Sequence, residues 1–200
     1  MANKNHELDG LITEAALKEF LDNGFEKASM RKIAANAGVT VGAIYTRYAT
    51  KDILFSSLVQ PLVDAVKEAF ATVKADYYEN LGETDAHKML SSIKGEMDMI
   101  LHLLFDYHEC AVLLLCKSGG SSLEGFFDIL IEKKIEETKL FFEKSNIKAP
   151  DERVMKLIIT SQFNMYYHLI NEGCELEEAK KITNDIMKYH TGGWLALLND

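Results

Sequence analysis

Residues 27–51 read KASMRKIAANAGVTVGAIYTRYATK. Five of these side chains are basic (Lys27, Arg31, Lys32, Arg47 and Lys51), and none is Asp or Glu. Ser29 is a natural N-cap for a short helix over Met30–Asn36, because its hydroxyl can accept from an N–H of the first turn that has no intrahelical partner. Ala37-Gly38-Val39 then reads as a turn, with Gly38 supplying the positive φ that stops a helix sharply. Thr40 caps a second short helix over Val41–Arg47. Ala34 is small enough to let the two helices approach closely, and Ile33, Val39 and Ile44 fill their shared core. Two short helices around a glycine turn, on a basic and acid-free island, form a device that enters the major groove of DNA.

Working outward, a first helix is expected from Glu7 to Asn23, with Leu8, Leu11, Ile12, Ala15, Ala16 and Phe20 as its apolar stripe. Gly24 ends it, and Phe25 packs back against the stripe. Thr50 caps a long fourth helix reaching Tyr78, with Asp52 in its first turn, where the helix dipole favours an anion. Pro61 lies inside this helix and predicts a kink rather than a break. Further helices are expected over Asp85–Asp106, Tyr107–Lys117, Ser121–Ser145, Pro150–Glu172 and Glu175–Leu198, with Pro150 in the first turn of its helix. The fold class is all-α. A three-helix helix-turn-helix DNA-binding domain over residues 1–52 is joined to a helical effector-binding and dimerisation domain over residues 53–200.

Charge divides the chain at the same place. Residues 1–52 hold seven basic and seven acidic side chains, whereas residues 53–200 hold 15 basic and 24 acidic ones and carry the whole net charge of −9. An acidic body repels phosphate, so nucleic acid should meet the N-terminal end alone. Three cysteines (Cys110, Cys116 and Cys174) in apolar helical contexts fit free thiols in a reducing compartment better than a disulfide framework. The first ten residues, MANKNHELDG, lack the apolar core of a signal peptide. The most apolar run, Met99 to Cys116, contains His102, Asp106, His108 and Glu109, which argues against a membrane span. A cytoplasmic protein is expected.

The residues of the island suit distinct tasks. Thr40, Val41, Gly42 and Ala43 are small, so the start of the third helix can approach base edges closely. Tyr45, Arg47, Tyr48 and Lys51 are placed to grip phosphates at the groove's edge, and Ser29, Arg31 and Lys32 to hold a phosphate at the start of the second helix. On this reading, removing Arg47 or Lys51 should flatten the salt dependence of DNA binding. No phosphate-binding glycine loop, nucleophile elbow or His-Glu metalloprotease motif supports an enzyme, and no cofactor motif is present. A helical interaction module whose N-terminal domain binds protein instead of DNA is the alternative.

The stretch from AALKEFLDNGF through the Ser29–Ala34 helix and AGVTVGAIY to Tyr48-x-x-Lys51 resembles the N-terminal domain of the tetracycline-repressor (TetR) family of bacterial transcription regulators. The similarity covers about residues 9–55. It implies a homodimeric repressor on a palindromic operator, released by a small-molecule effector bound in the C-terminal domain. By position, Thr40, Gly42 and Ala43 match base-facing sites, and Tyr45 and Lys51 match phosphate contacts. Arg47 stands where the family usually has Tyr or His, and Thr46 where a larger residue is frequent.

The body carries weaker signals. Met97, Leu101, Phe105, Tyr107, Phe127, Phe163 and Tyr166 are soft or aromatic side chains that suit either an ordinary core or a pocket for an apolar or aromatic effector. Leu157, Met165 and Leu169 on one helix, with Ile182, Ile186, Tyr189 and Trp194 on the last, give apolar surfaces suited to a four-helix dimer interface or to the monomer core. His102 and Asp106 share a helix face, but His108 and Cys110 point elsewhere, and no zinc-site spacing appears.

Overall fold

The computed structural model describes residues 2–79, 86–144 and 147–198. The described residues form α1 (Ala2–Lys27), α2 (Met30–Asn36), α3 (Val41–Arg47), α4 (Lys51–Glu79), α5 (Ala86–Asp106), α6 (His108–Cys116), α7 (Phe126–Lys144), α8 (Glu152–Asn171) and α9 (Leu176–Leu198), with no strand among them. The expected ends at Asp85 and Ser145 fall outside the described residues.

Two compact units emerge. One comprises residues 1–63 and 107–124; the other comprises residues 64–106 and 125–200. The division thus falls inside α4 rather than at residue 52, and α6 with the loop after it joins the N-terminal unit. The reason lies in contacts distant in sequence. α6 packs on α1, and the Phe25 N–H donates to the Lys117 carbonyl at 2.8 Å.

In the N-terminal unit, Ile12, Ala16, Phe20, Ile33, Ile44, Leu54 and Phe55 are wholly or almost wholly buried. Phe55 meets Phe20 and Phe25 edge-on, with ring centroids at 5.1 and 5.3 Å. Gly24 has φ 72° and ψ 167°, so the regular helix does turn there although the helical assignment continues to Lys27. α4 runs through Pro61 without a break.

The other unit is built from long amphipathic helices, with α9 packed on α5 and α8 on α7. Two expected boundaries shift. Ser121–Glu124 belongs to turns rather than α7, because Gly125 takes a left-handed φ of 76° just before Phe126. Pro150 precedes α8 instead of opening it. Asp151 is the cap, accepting from the N–H groups of Arg153 and Val154. Among the described residues no single helix is long and apolar enough to cross a membrane.

Candidate nucleic-acid interface

The two short helices form as their caps dictate. Ser29 is in extended conformation and its hydroxyl accepts from the Lys32 N–H at 3.4 Å, opening α2. Thr40 does the same for α3, accepting from the Ala43 N–H at 3.1 Å. Between them Gly38 has φ 67°, a conformation that costs an L side chain strain, and the Val39 N–H closes the turn on the Ala34 carbonyl at 2.9 Å. Ile33, Ala34 and Ile44 are buried where the helices meet.

A residue not singled out from sequence fixes the start of α2. Glu19 on α1 is 5% exposed, and its carboxylate accepts from the Ser29 N–H at 3.0 Å. Its partner is ten positions away, too far for any local pattern to announce. Asp52 plays a similar part after α3, accepting from both the N–H and the hydroxyl of Ser122 at 2.7 Å.

The outward face of α3 is sparse. Thr40, Gly42, Tyr45 and Thr46 are exposed, while Val41, Ala43 and Tyr48 are half-buried. Tyr48 is also the C-cap of α3, in extended conformation. A Cβ placed on Gly42 would meet only the Thr40 hydroxyl at 3.9 Å, so nothing within the fold demands glycine there. Glycine in a helix costs about 1 kcal/mol relative to alanine. Its presence on an open helix face is therefore a reason to look outside the chain for what comes close.

The five cations divide. Lys27, Arg31 and Lys32 are exposed. Lys51 instead folds onto the end of α1, its Nζ donating to the carbonyls of Phe25 (2.7 Å), Glu26 (3.1 Å) and Ala28 (3.4 Å) and lying 4.5 Å from the Phe25 ring centre. Arg47 donates from Nε to Asp9 Oδ1 at 2.6 Å and from Nη1 to the Ala43 carbonyl at 3.3 Å. Both side chains are thus engaged within the chain here, rather than extended from the surface. An Arg at the end of a short helix takes the carboxylate that tertiary folding brings to it, and a Lys takes the carbonyls left unpaired at a helix C-terminus.

This geometry is a capped helix-turn-helix whose own residues, 27–51, include no acid. The family model "Bacterial regulatory proteins, tetR family" matches residues 12–58, from within α1 into α4. That stretch, which holds α2 and α3, is therefore similar to the N-terminal domain of the TetR family. A helix-turn-helix transcriptional regulator of Staphylococcus aureus (strain MRSA252) is 27% identical over 116 residues. That alignment spans 58% of this chain and 56% of the relative, little more than half of each. Among solved structures, a TetR-like regulator from Rhodococcus sp. RHA1 superposes with a TM-score of 0.62 at 20% identity, covering 94% of this chain and 96% of that one. The regulator FadR of Bacillus subtilis, solved in complex with stearoyl-CoA, gives 0.59 at 16% identity, covering 92% and 97%. At such identities these likenesses speak for the all-α TetR fold alone.

The residues picked out in the body of this chain part company. Met97, Leu101, Phe163 and Tyr166 are buried together with half-buried Phe127 in the second unit. The Tyr166 hydroxyl donates to the Met97 carbonyl at 3.1 Å, and the rings of Phe127, Phe163 and Tyr166 follow one another at 6.4 and 6.2 Å. Burial holds the Tyr166 phenol well above its usual pKa, with the nearby carboxylates of Glu96 and Asp98 adding to the rise. Phe105 is half-buried in the same unit, whereas Tyr107 is exposed and belongs to the N-terminal one. An open cleft of 290 Å³ in the second unit has Lys139, Phe142, Pro150 and Met155 on its wall, and none of the expected effector residues.

Of the residues expected at a dimer interface, Leu157 (70% exposed) and Tyr189 (79%) are open and Ile182 and Ile186 half-buried. Met165, Leu169 and Trp194 are buried in their own unit, Trp194 against Phe142 at 6.4 Å. These three are core residues of the monomer, and helical periodicity alone could not separate the two faces.

Proposed function

We propose that this chain is a homodimeric repressor that reads a palindromic operator with α2 and α3 of each protomer and leaves it when a small apolar ligand binds the second unit. The observation that carries the reading is the exposed start of α3, where Thr40, Gly42 and half-buried Ala43 present no bulk and no acid next to exposed Arg31 and Lys32. Thr40, Val41, Gly42 and Ala43 would face base edges, while Ser29, Arg31, Lys32, Tyr45 and Tyr48 would hold the backbone. Lys51 would contribute charge from where it caps α1.

Two-fold symmetry fits a palindrome when the two reading heads lie about one helical turn apart, roughly 34–36 Å. Leu157 and Tyr189, large apolar side chains left open on α8 and α9, are the residues proposed to seal the dimer. The effector would sit among Met97, Leu101, Phe105, Phe127, Phe163 and Tyr166. The acyl chain bound by the Bacillus subtilis neighbour supports an elongated apolar ligand. A ligand that prefers a different separation of the heads lowers operator affinity by shifting the population of dimer states, with α4 as the continuous chain between units.

Salt-titrated binding to duplex DNA of random sequence tests the first step. The wild type should lose affinity steeply with salt, and Arg31→Gln with Lys32→Gln should flatten the log–log slope by about 3.6 for a dimer with both heads on the duplex, or roughly 0.9 per phosphate contact. A wild-type slope near zero would favour the protein-binding alternative. Sedimentation of Leu157→Glu with Tyr189→Glu checks the second step, since a stable dimer should become a monomer.

A further inference from the structure

Among the described residues, Arg47 is the one cation of the basic island that meets a carboxylate. Its partner Asp9 is 38 positions away on α1, and the pair is short, 2.6 Å from Nε to Oδ1. A second hydrogen bond from the same guanidinium to the Ala43 carbonyl lays it along α3. The side chains are 22% and 42% exposed, respectively. A pair so placed adds little to stability, but its effect on the local field does not depend on that. While it is closed, a phosphate approaching the end of α3 meets no net charge from these two groups. Lys51 differs, because the carbonyls around it are neutral and leave its charge intact.

We propose that Asp9 withholds Arg47 from the DNA backbone, so that the reading head binds with one cationic contact fewer than its sequence carries. The proposal rests on the DNA-binding reading of α2 and α3. A carboxylate offers a guanidinium the same charged oxygen acceptors as a phosphodiester, so Asp9 occupies Arg47 in the manner of a phosphate. Backbone contacts supply essentially all sequence-independent affinity, whereas base contacts supply discrimination. Withholding one backbone contact therefore lowers binding to random DNA without touching Thr40, Val41, Gly42 or Ala43. Asp9 is a specificity-setting residue that acts through Arg47.

The test compares full-length wild type, D9N, R47Q and the double variant D9N/R47Q by fluorescence anisotropy on a random-sequence duplex across a sodium chloride series. D9N should bind more tightly and steepen the log–log slope by about 0.9 per reading head, or about 1.8 for a dimer with both heads on the duplex, equivalent to about 60-fold over a tenfold change in salt. R47Q and D9N/R47Q should keep the wild-type slope. A D9N slope equal to or shallower than wild type overturns the proposal, because Arg47 then either reaches phosphate already or is needed only to brace α3. A slope for R47Q shallower than wild type by about 0.9 per reading head overturns it independently, and that arm decides alone if circular dichroism shows D9N unfolded. Absence of salt-dependent binding by the wild type would remove the DNA-binding reading itself, and the proposal with it.

Discussion

The N-terminal unit and the helical body are held together in different ways. In the first, polar side chains reach backbone groups at nearly every change of direction: Glu19 at Ser29, Ser29 and Thr40 at their own helices, Lys51 at the end of α1, and Asp52 at Ser122. In the second, packing of long apolar faces dominates. Gln162 Nε2, Thr183 Oγ1 and Trp194 Nε1 are buried there with no hydrogen-bond partner among the described residues. A polar group without a partner in an apolar interior costs free energy and specifies nothing. The reading head is thus pinned at points, whereas the body is held by area.

That contrast can be broken in four places. Phe55→Ala removes the ring between Phe20 and Phe25 and should destabilise the N-terminal unit by about 3–5 kcal/mol, measured by urea denaturation. Should the loss fall below 1 kcal/mol, aromatic packing is not what the pins are fastened to. Glu19→Ala leaves the Ser29 N–H without its buried acceptor and should cost about 1–3 kcal/mol. An unchanged denaturation midpoint would mean that water replaces the carboxylate without loss. In the body the sign should reverse. Thr183→Val discards an unpartnered hydroxyl at nearly constant volume and should stabilise by about 1 kcal/mol, seen as a raised melting temperature; a lowered one would show that the hydroxyl has a partner. Gly42→Ala should gain about 0.5–1 kcal/mol of helix stability and at the same time weaken operator binding. If DNA affinity instead rises with stability, α3 does not approach the groove closely.

How legible each region was follows from the same difference. Ser29, Gly38 and Thr40 act within three residues of themselves, so caps and turn could be read directly and α2 and α3 lie where the sequence placed them. Glu19, Asp9 and Asp52 act across 10, 38 and 70 positions, and a charged residue carries no mark of so distant a partner. The fates of Arg47 and Lys51 were hidden for that reason. In α7 the left-handed Gly125 was the signal passed over, and in α8 it was the capping power of Asp151 beside the more conspicuous Pro150. The body gave helices and little more, since an apolar residue such as Trp194 looks alike whether it faces its own core or a second copy.

The brevity of α3 has a practical consequence. Seven residues make fewer than two helical turns, well below the ~12–15 at which a helix begins to persist alone in water. Its shape is borrowed from α1, α2 and the buried side of Ile44. A synthetic peptide copying it should be a poor competitor for an operator. A chimaera meant to transplant the proposed DNA specificity should be spliced beyond Phe55, carrying Asp9, Glu19 and Lys51 along with the reading residues themselves.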